Sequence, residues 1–118
     1  MPYDGRYFFR TSAATQVERV MEVIATEDMW CKNRLATADG RHCLRGALRA
    51  AGATYRVDRI IMRTIRQATG QRLTIEAFND SDQTTHASVL NILNSARDQA
   101  LATETKGLGT RLGSWFGR

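Results

Sequence analysis

The sequence predicts a mainly α fold: a single small domain of about four helices with a short β-hairpin near residues 30–43. Three observations carry that prediction. Apolar residues recur at helical spacing in separate stretches of the chain. Capping residues and glycines stand at the ends of those stretches. The 118-residue chain has one proline, Pro2, and no Ser/Gly-rich linker before residue 103, so one hydrophobic core is the expected arrangement. Residues 1–102 are read as the helical domain and 103–118 as a Gly-rich amphipathic tail.

The elements follow in order. Val17, Val20, Met21 and Ile24 fall at i, i+3, i+4 and i+7, which predicts a helix over about 13–26. Ser12 or Thr15 is available as its N-cap, and Glu18, three residues after Thr15, completes a capping-box pattern. Trp30 to Thr37, then Asp39-Gly40, then Arg41 to Cys43 reads as the hairpin, because Asp-Gly suits a tight two-residue turn. An Ala- and Leu-rich helix from Cys43 to Ala51 stops at Gly52. Thr54 caps the next, which runs to Thr69 with Val57, Ile60, Ile61, Ile65 and Ala68 inward and Gly70 at its end. Leu73 to Phe78 is too short to assign between a strand and one helical turn. After the turn residues Asn79 to Asp82, Thr84 or Thr85 caps a last helix of about 85–102 carrying Val89, Ile92, Leu93, Ala96 and Leu101.

Apolar runs are short, well under the roughly 20 residues that cross a bilayer, and Met1 to Arg6 lacks the apolar stretch of a signal peptide. A cytoplasmic location is therefore expected. Two cysteines do not make a disulfide framework, in keeping with a reducing compartment. A bridge between them is further disfavoured by register: a two-residue turn at 39–40 sets Cys43 opposite Ala36 and leaves Cys31 five positions away.

Charge is uneven. The net +5 conceals a block from Arg41 to Arg72 with eight arginines and one acid, Asp58, which is +7 and leaves −2 for the rest. At 100° per residue, Arg56, Arg59, Arg63 and Arg66 fall within an arc of about 80°, away from Val57, Ile61 and Ile65. Arg45 and Arg49 form an i, i+4 pair on the preceding helix. Guanidinium groups suit phosphate and carboxylate alike, so nucleic acid and an acidic protein surface are both candidate partners, against the plainer reading of a solvated helix face. Two helices joined at Ala51 to Thr54 also echo a helix-turn-helix, but Val57 and Ile60 each arrive one residue early for that motif. Apart from Tyr55 the basic block lacks a stacking platform.

With these segments placed, a resemblance can be stated. The opening amphipathic helix, Trp30, the run Gly40-Arg41-His42-Cys43-Leu44-Arg45-Gly46-Ala47-Leu48, then Phe78-Asn79-Asp80 and Val89-Leu90-x-x-Leu93-x-x-Ala96 together resemble a family of small bacterial and phage proteins known only as a domain of unknown function. The likeness covers roughly residues 15–100. It implies a short, helix-rich, stand-alone protein and lends no activity; a phage or mobile-element setting is an expectation that goes with the binding-module reading below.

Several other residues admit a chemical reading beside a structural one. Cys43 opens a helix, where unpaired amides favour a thiolate, so a thiol-dependent enzyme using Cys43 with His86 or His42 and Asp80 can be drawn. A Cys beside Leu44, Ala47 and Leu48 is more often a small buried hydrophobe. Cys31-x11-Cys43 with His42 matches no zinc-finger spacing, and no metal or other cofactor is expected. Gly46 inside a short helix points to close approach by another backbone, and Asn79-Asp80 to helix capping. Leu108, Leu112, Trp115 and Phe116 recur at helical spacing beside Lys106 and Arg111. That tail makes a self-associating, homo-oligomeric or scaffold protein a third reading, with a membrane surface disfavoured; four glycines there argue against an isolated helix. A non-enzymatic binding module using Arg45, Arg49, Arg56, Arg59, Arg63 and Arg66 is the leading expectation.

Overall fold

A computed structural model describes residues 12–115, with side chains described through residue 104. It contains five helices and no strand among the described residues.

Helix α1 is Ala13–Val23. Of the two cap candidates Ser12 is the one used: its Oγ accepts the Thr15 N–H at 3.1 Å, satisfying one of the amides a helix start leaves free. Val17, Val20 and Ile24 are fully buried, as their spacing predicts. The helix stops short of the predicted residue 26, and Glu27–Met29 form a single 3-10 turn.

The predicted hairpin contracts to isolated bridges, with a different register. Gly40 has φ 93°, whereas Asn33 is the sole non-glycine with positive φ among the described residues, so Asp39 does not adopt the left-handed conformation that a two-residue type I′ turn needs. The loop takes three residues instead, closed by the Thr37 N–H donating to Arg41 O at 2.9 Å and Gly40 N–H to Thr37 O at 3.1 Å. One extra loop residue moves the pairing by one, and Ala36 faces His42 rather than Cys43. The other edge of His42 takes the incoming chain in parallel: its N–H donates to Met29 O at 2.9 Å and its carbonyl accepts the Cys31 N–H at 3.0 Å.

Helix α2, Leu44–Ala50, starts from Cys43, whose Sγ accepts the Gly46 N–H at 3.3 Å. The expected close approach at Gly46 is present: a Cβ there would lie 2.0 Å from the Leu35 carbonyl oxygen. Helix α3 is Tyr55–Thr69, ending at Gly70 as predicted. Thr54 occupies its N-cap position, but its hydroxyl does not cap. It donates to Gln16 Oε1 at 3.0 Å beside its own N–H at 2.8 Å, which pins the start of α3 to α1. Val57, Ile61 and Ile65 are fully buried, whereas Ala68, expected inward, is exposed in the last turn.

The short stretch that periodicity left open is helical. Helix α4 is Ile75–Asp80, capped by Thr74 Oγ1 accepting the Ala77 N–H at 3.0 Å. Helix α5 runs His86–Trp115. Thr85 and Ser88 cap it reciprocally, each hydroxyl accepting the other's N–H at 3.1 and 3.2 Å. Its core face is Val89, Ile92, Leu93, Ala96 and Ala100; Leu101, expected inward, is 46% exposed. The reason is angular, since residue 100 lies about 20° from residue 89 on a helical wheel and residue 101 about 120°. The backbone also remains helical past the predicted end near residue 102, because each residue added to a formed helix gains a hydrogen bond without a new nucleation step. Both α1 and α3 pack chiefly on α5, and the core lies between them.

Candidate anion-binding face

The apolar side of α3 is fixed by its burial, so its other side must face solvent. Arg56, Arg59, Arg63 and Arg66 are all exposed, as is Arg49 on α2. The ion pairs among the described residues join Arg41 to Asp39, Arg45 to Asp58 and Glu76, and Arg97 to Glu18 and Asp98. None involves the α3 arginines or Arg49.

Two hollows flank this row. One, of about 480 Å³, lies between α3 and α5 with Ile60 and Ala100 as its apolar part and Tyr55, Arg56, Arg59, Arg63 and Thr103 around them. The second, of about 450 Å³, is lined by Met62, Arg63, Arg66, Arg72, Leu73 and Thr74. Arg63 lines both, so the hollows are neighbours on the α3 face, and no described residue lining either is acidic. Tyr55 is 74% exposed, with the Arg59 guanidinium 6.0 Å from its ring centroid. Arg72 was absent from the predicted set because it lies beyond the end of the helix that defined the stripe. Arg49 lines neither hollow.

Arg45 departs from its predicted role. Its guanidinium turns inward, 2.8 Å from Asp58 Oδ2 and 3.2 Å from Glu76 Oε2, with its side chain 19% exposed. Burial alone would lower its pKa, but the hydrogen bond and charge of Asp58, joined by Glu76, outweigh that and raise it above its ordinary value. The residue ties α2 to α3 and α4. Because Asp58 is the acid it consumes, the pair also removes the one carboxylate from the basic block. Arg45→Met is expected to destabilise the fold by about 2 kcal/mol in urea titration, since it leaves Asp58 without its partner.

Among the described residues no hydrogen bond joins Cys43 to either histidine, and its Sγ accepts the Gly46 N–H. The His86 Nε2–H donates to the Ile24 carbonyl at 2.7 Å in the buried interior, with Trp30 against its ring at 6.0 Å between centroids. Its Nε2 is thereby occupied as a donor. Asp80 Oδ1 accepts the Asn33 N–H at 2.8 Å and the Asn79 amide at 3.0 Å. Cys43 is 5% exposed, while His42 Nδ1 is buried without a partner. Cys31 is half-buried, and burial first, then the neighbouring Cys43, push its pKa up.

By sequence, Asn79-Asp80 are turn and capping residues ahead of the last helix. The structure gives them a longer reach. Asn79, fully buried, accepts the Trp30 Nε1–H at 2.7 Å and the Leu44 N–H at 3.0 Å, and donates to the Cys31 carbonyl at 3.1 Å. It therefore caps α2, from 35 residues away, and fastens the 30–43 loop. Lys32 Nζ adds a donation to the Ser81 carbonyl at 2.6 Å and lies 5.6 Å from the Trp30 ring centroid.

Among the described residues, no group of three or more His, Cys, Asp or Glu is placed to hold a metal ion. No helix among them is long and apolar enough to cross a membrane. Of the tail candidates, Leu108, Leu112 and Trp115 lie on α5 with side chains outside the described set, and Phe116 lies outside the described residues. Comparison with curated proteins and with solved structures finds no match. Residues 9–99 match the family of unknown function DUF6197, and with most of its length covered the chain belongs to that family.

Proposed function

We propose that this protein is a non-enzymatic binding module whose α3 face meets an anionic partner, with nucleic acid favoured over an acidic protein surface. The observation that carries the reading is the run of exposed arginines, Arg56, Arg59, Arg63, Arg66 and Arg72, along two neighbouring hollows with no acidic residue among their described lining. Unpaired guanidinium groups attract phosphates by charge and by their planar set of donors. Tyr55 tilts the choice toward nucleic acid, because an exposed ring beside a cation offers a base a stacking surface that a carboxylate does not use.

Fluorescence anisotropy with labelled single-stranded and duplex oligonucleotides, and with a polyglutamate peptide, tests this over a salt series. Oligonucleotide affinity is expected to fall steeply with salt, and Arg59→Glu/Arg63→Glu to lower it by about tenfold or more at fixed salt. Tyr55→Ala is expected to weaken the single strand more than the duplex. Preference for polyglutamate would shift the partner to an acidic protein. Absence of salt-sensitive binding to every probe would sink the reading.

A further inference from the structure

The 30–43 loop brings together two residues that its expected hairpin holds apart. In the parallel bridge between Trp30 and His42, the His42 N–H donates to Met29 and its carbonyl accepts from Cys31. In that register the next residue on each side is a cysteine, so Cys31 lies beside Cys43. Neighbouring extended segments run about 4.8 Å apart, inside the roughly 4.4–6.8 Å Cα separation that a disulfide spans. Both thiols are free. The backbone on both sides is held independently of the sulfurs, by Asn79 on the Cys31 carbonyl and by the Leu35 carbonyl on the Cys43 N–H at 3.2 Å.

We propose that Cys31 and Cys43 form a reversible dithiol/disulfide site, oxidised by low-molecular-weight disulfides such as glutathione disulfide. Their access differs and sets the order of events. Cys31 is half-buried and open to a small reagent, whereas Cys43 is 5% exposed and receives the Gly46 N–H. Cys31 loses its proton and its thiolate attacks one sulfur of the oxidant, breaking that S–S bond. One glutathione leaves as thiolate and takes up a proton, and a mixed disulfide stays on Cys31. The Cys43 thiolate then attacks Cys31 Sγ, forming the internal S–S bond and expelling the second glutathione, which is likewise protonated. Two electrons and two protons pass from the protein to the reagent. Since the Cys31 pKa is raised, the first step quickens as pH rises through and above the ordinary thiol range. This site is independent of the arginine face.

The test incubates the native full chain with glutathione disulfide near pH 8, quenches with acid, and reads intact mass and residual alkylatable thiols. The expected product is a monomer lighter by two hydrogens, without a glutathione adduct and without free thiols, restored by dithiothreitol. Cys43→Ser is expected to accumulate the glutathione adduct on Cys31, and Cys31→Ser to stay unmodified. Wild-type protein that keeps both thiols, halts at the adduct, or links into dimers overturns the proposal. An adduct on Cys31→Ser as rapid as on Cys43→Ser overturns the order of attack.

Discussion

Replacing Asn79 with alanine is expected to lower the stability of the domain by about 3–5 kcal/mol, or roughly 15–20 °C in Tm. The side chain is fully buried and all four of its hydrogen-bonding positions are used, by Trp30, Leu44, Cys31 and Asp80. Truncation leaves the first amide of α2 and the Trp30 indole N–H without acceptors, and removing one partner of a buried pair is worse than removing both. The damage should be local before it is global. Trp30 is half-buried, packed between His86 and Lys32, and its emission is expected to shift red in the variant under conditions where helix content is unchanged. A loss below about 1 kcal/mol would show that Asn79 does not organise the loop.

Gly46→Ala is expected to cost about 2–3 kcal/mol even though alanine is the better helix former. Intrinsic preference favours the substitution by about 1 kcal/mol. Against it, the new methyl would stand 2.0 Å from the Leu35 oxygen and 3.0 Å from its carbonyl carbon, both backbone atoms. They cannot rotate away, and the same oxygen accepts the Cys43 N–H at 3.2 Å. Relief therefore requires moving the loop or α2, with the overpacking penalty this entails. Chemical denaturation of the purified variant measures the sum, and a neutral or stabilising result would show that the loop yields freely.

What the sequence made legible, and what it did not, divides along the range of the interactions. The starts of α1 and α5 were readable because the devices that set them are local: Ser12 and Thr85 each bond three residues on, whereas the α4 start at Thr74 and the ends of α1 and α5 were not. The buried face of α3 followed from spacing alone. Thr54 marks where that reasoning runs out, because its position was right while its hydroxyl serves Gln16, 38 residues earlier. Arg45 shows the same limit from the side of function. Its place in an i, i+4 pair with Arg49 gave no sign that Asp58 and Glu76 converge on it across 13 and 31 residues. The loop register failed for a smaller reason, the conformation of the single residue Asp39. A separate feature, the parallel pairing of Trp30 with His42, sets Cys31 beside Cys43, which reasoning from antiparallel pairing alone does not reach, although both cysteines are free.

The contacts of Asn79 have a bearing on how the molecule assembles. They join segments 49, 48 and 35 residues apart, so the stretch from Trp30 to Cys43 cannot gain its main fastening until α4 has arrived. Closing so long a span early carries a large entropic penalty. The helices are thus able to condense first, and the loop and α4 to lock late and come loose as one cooperative unit.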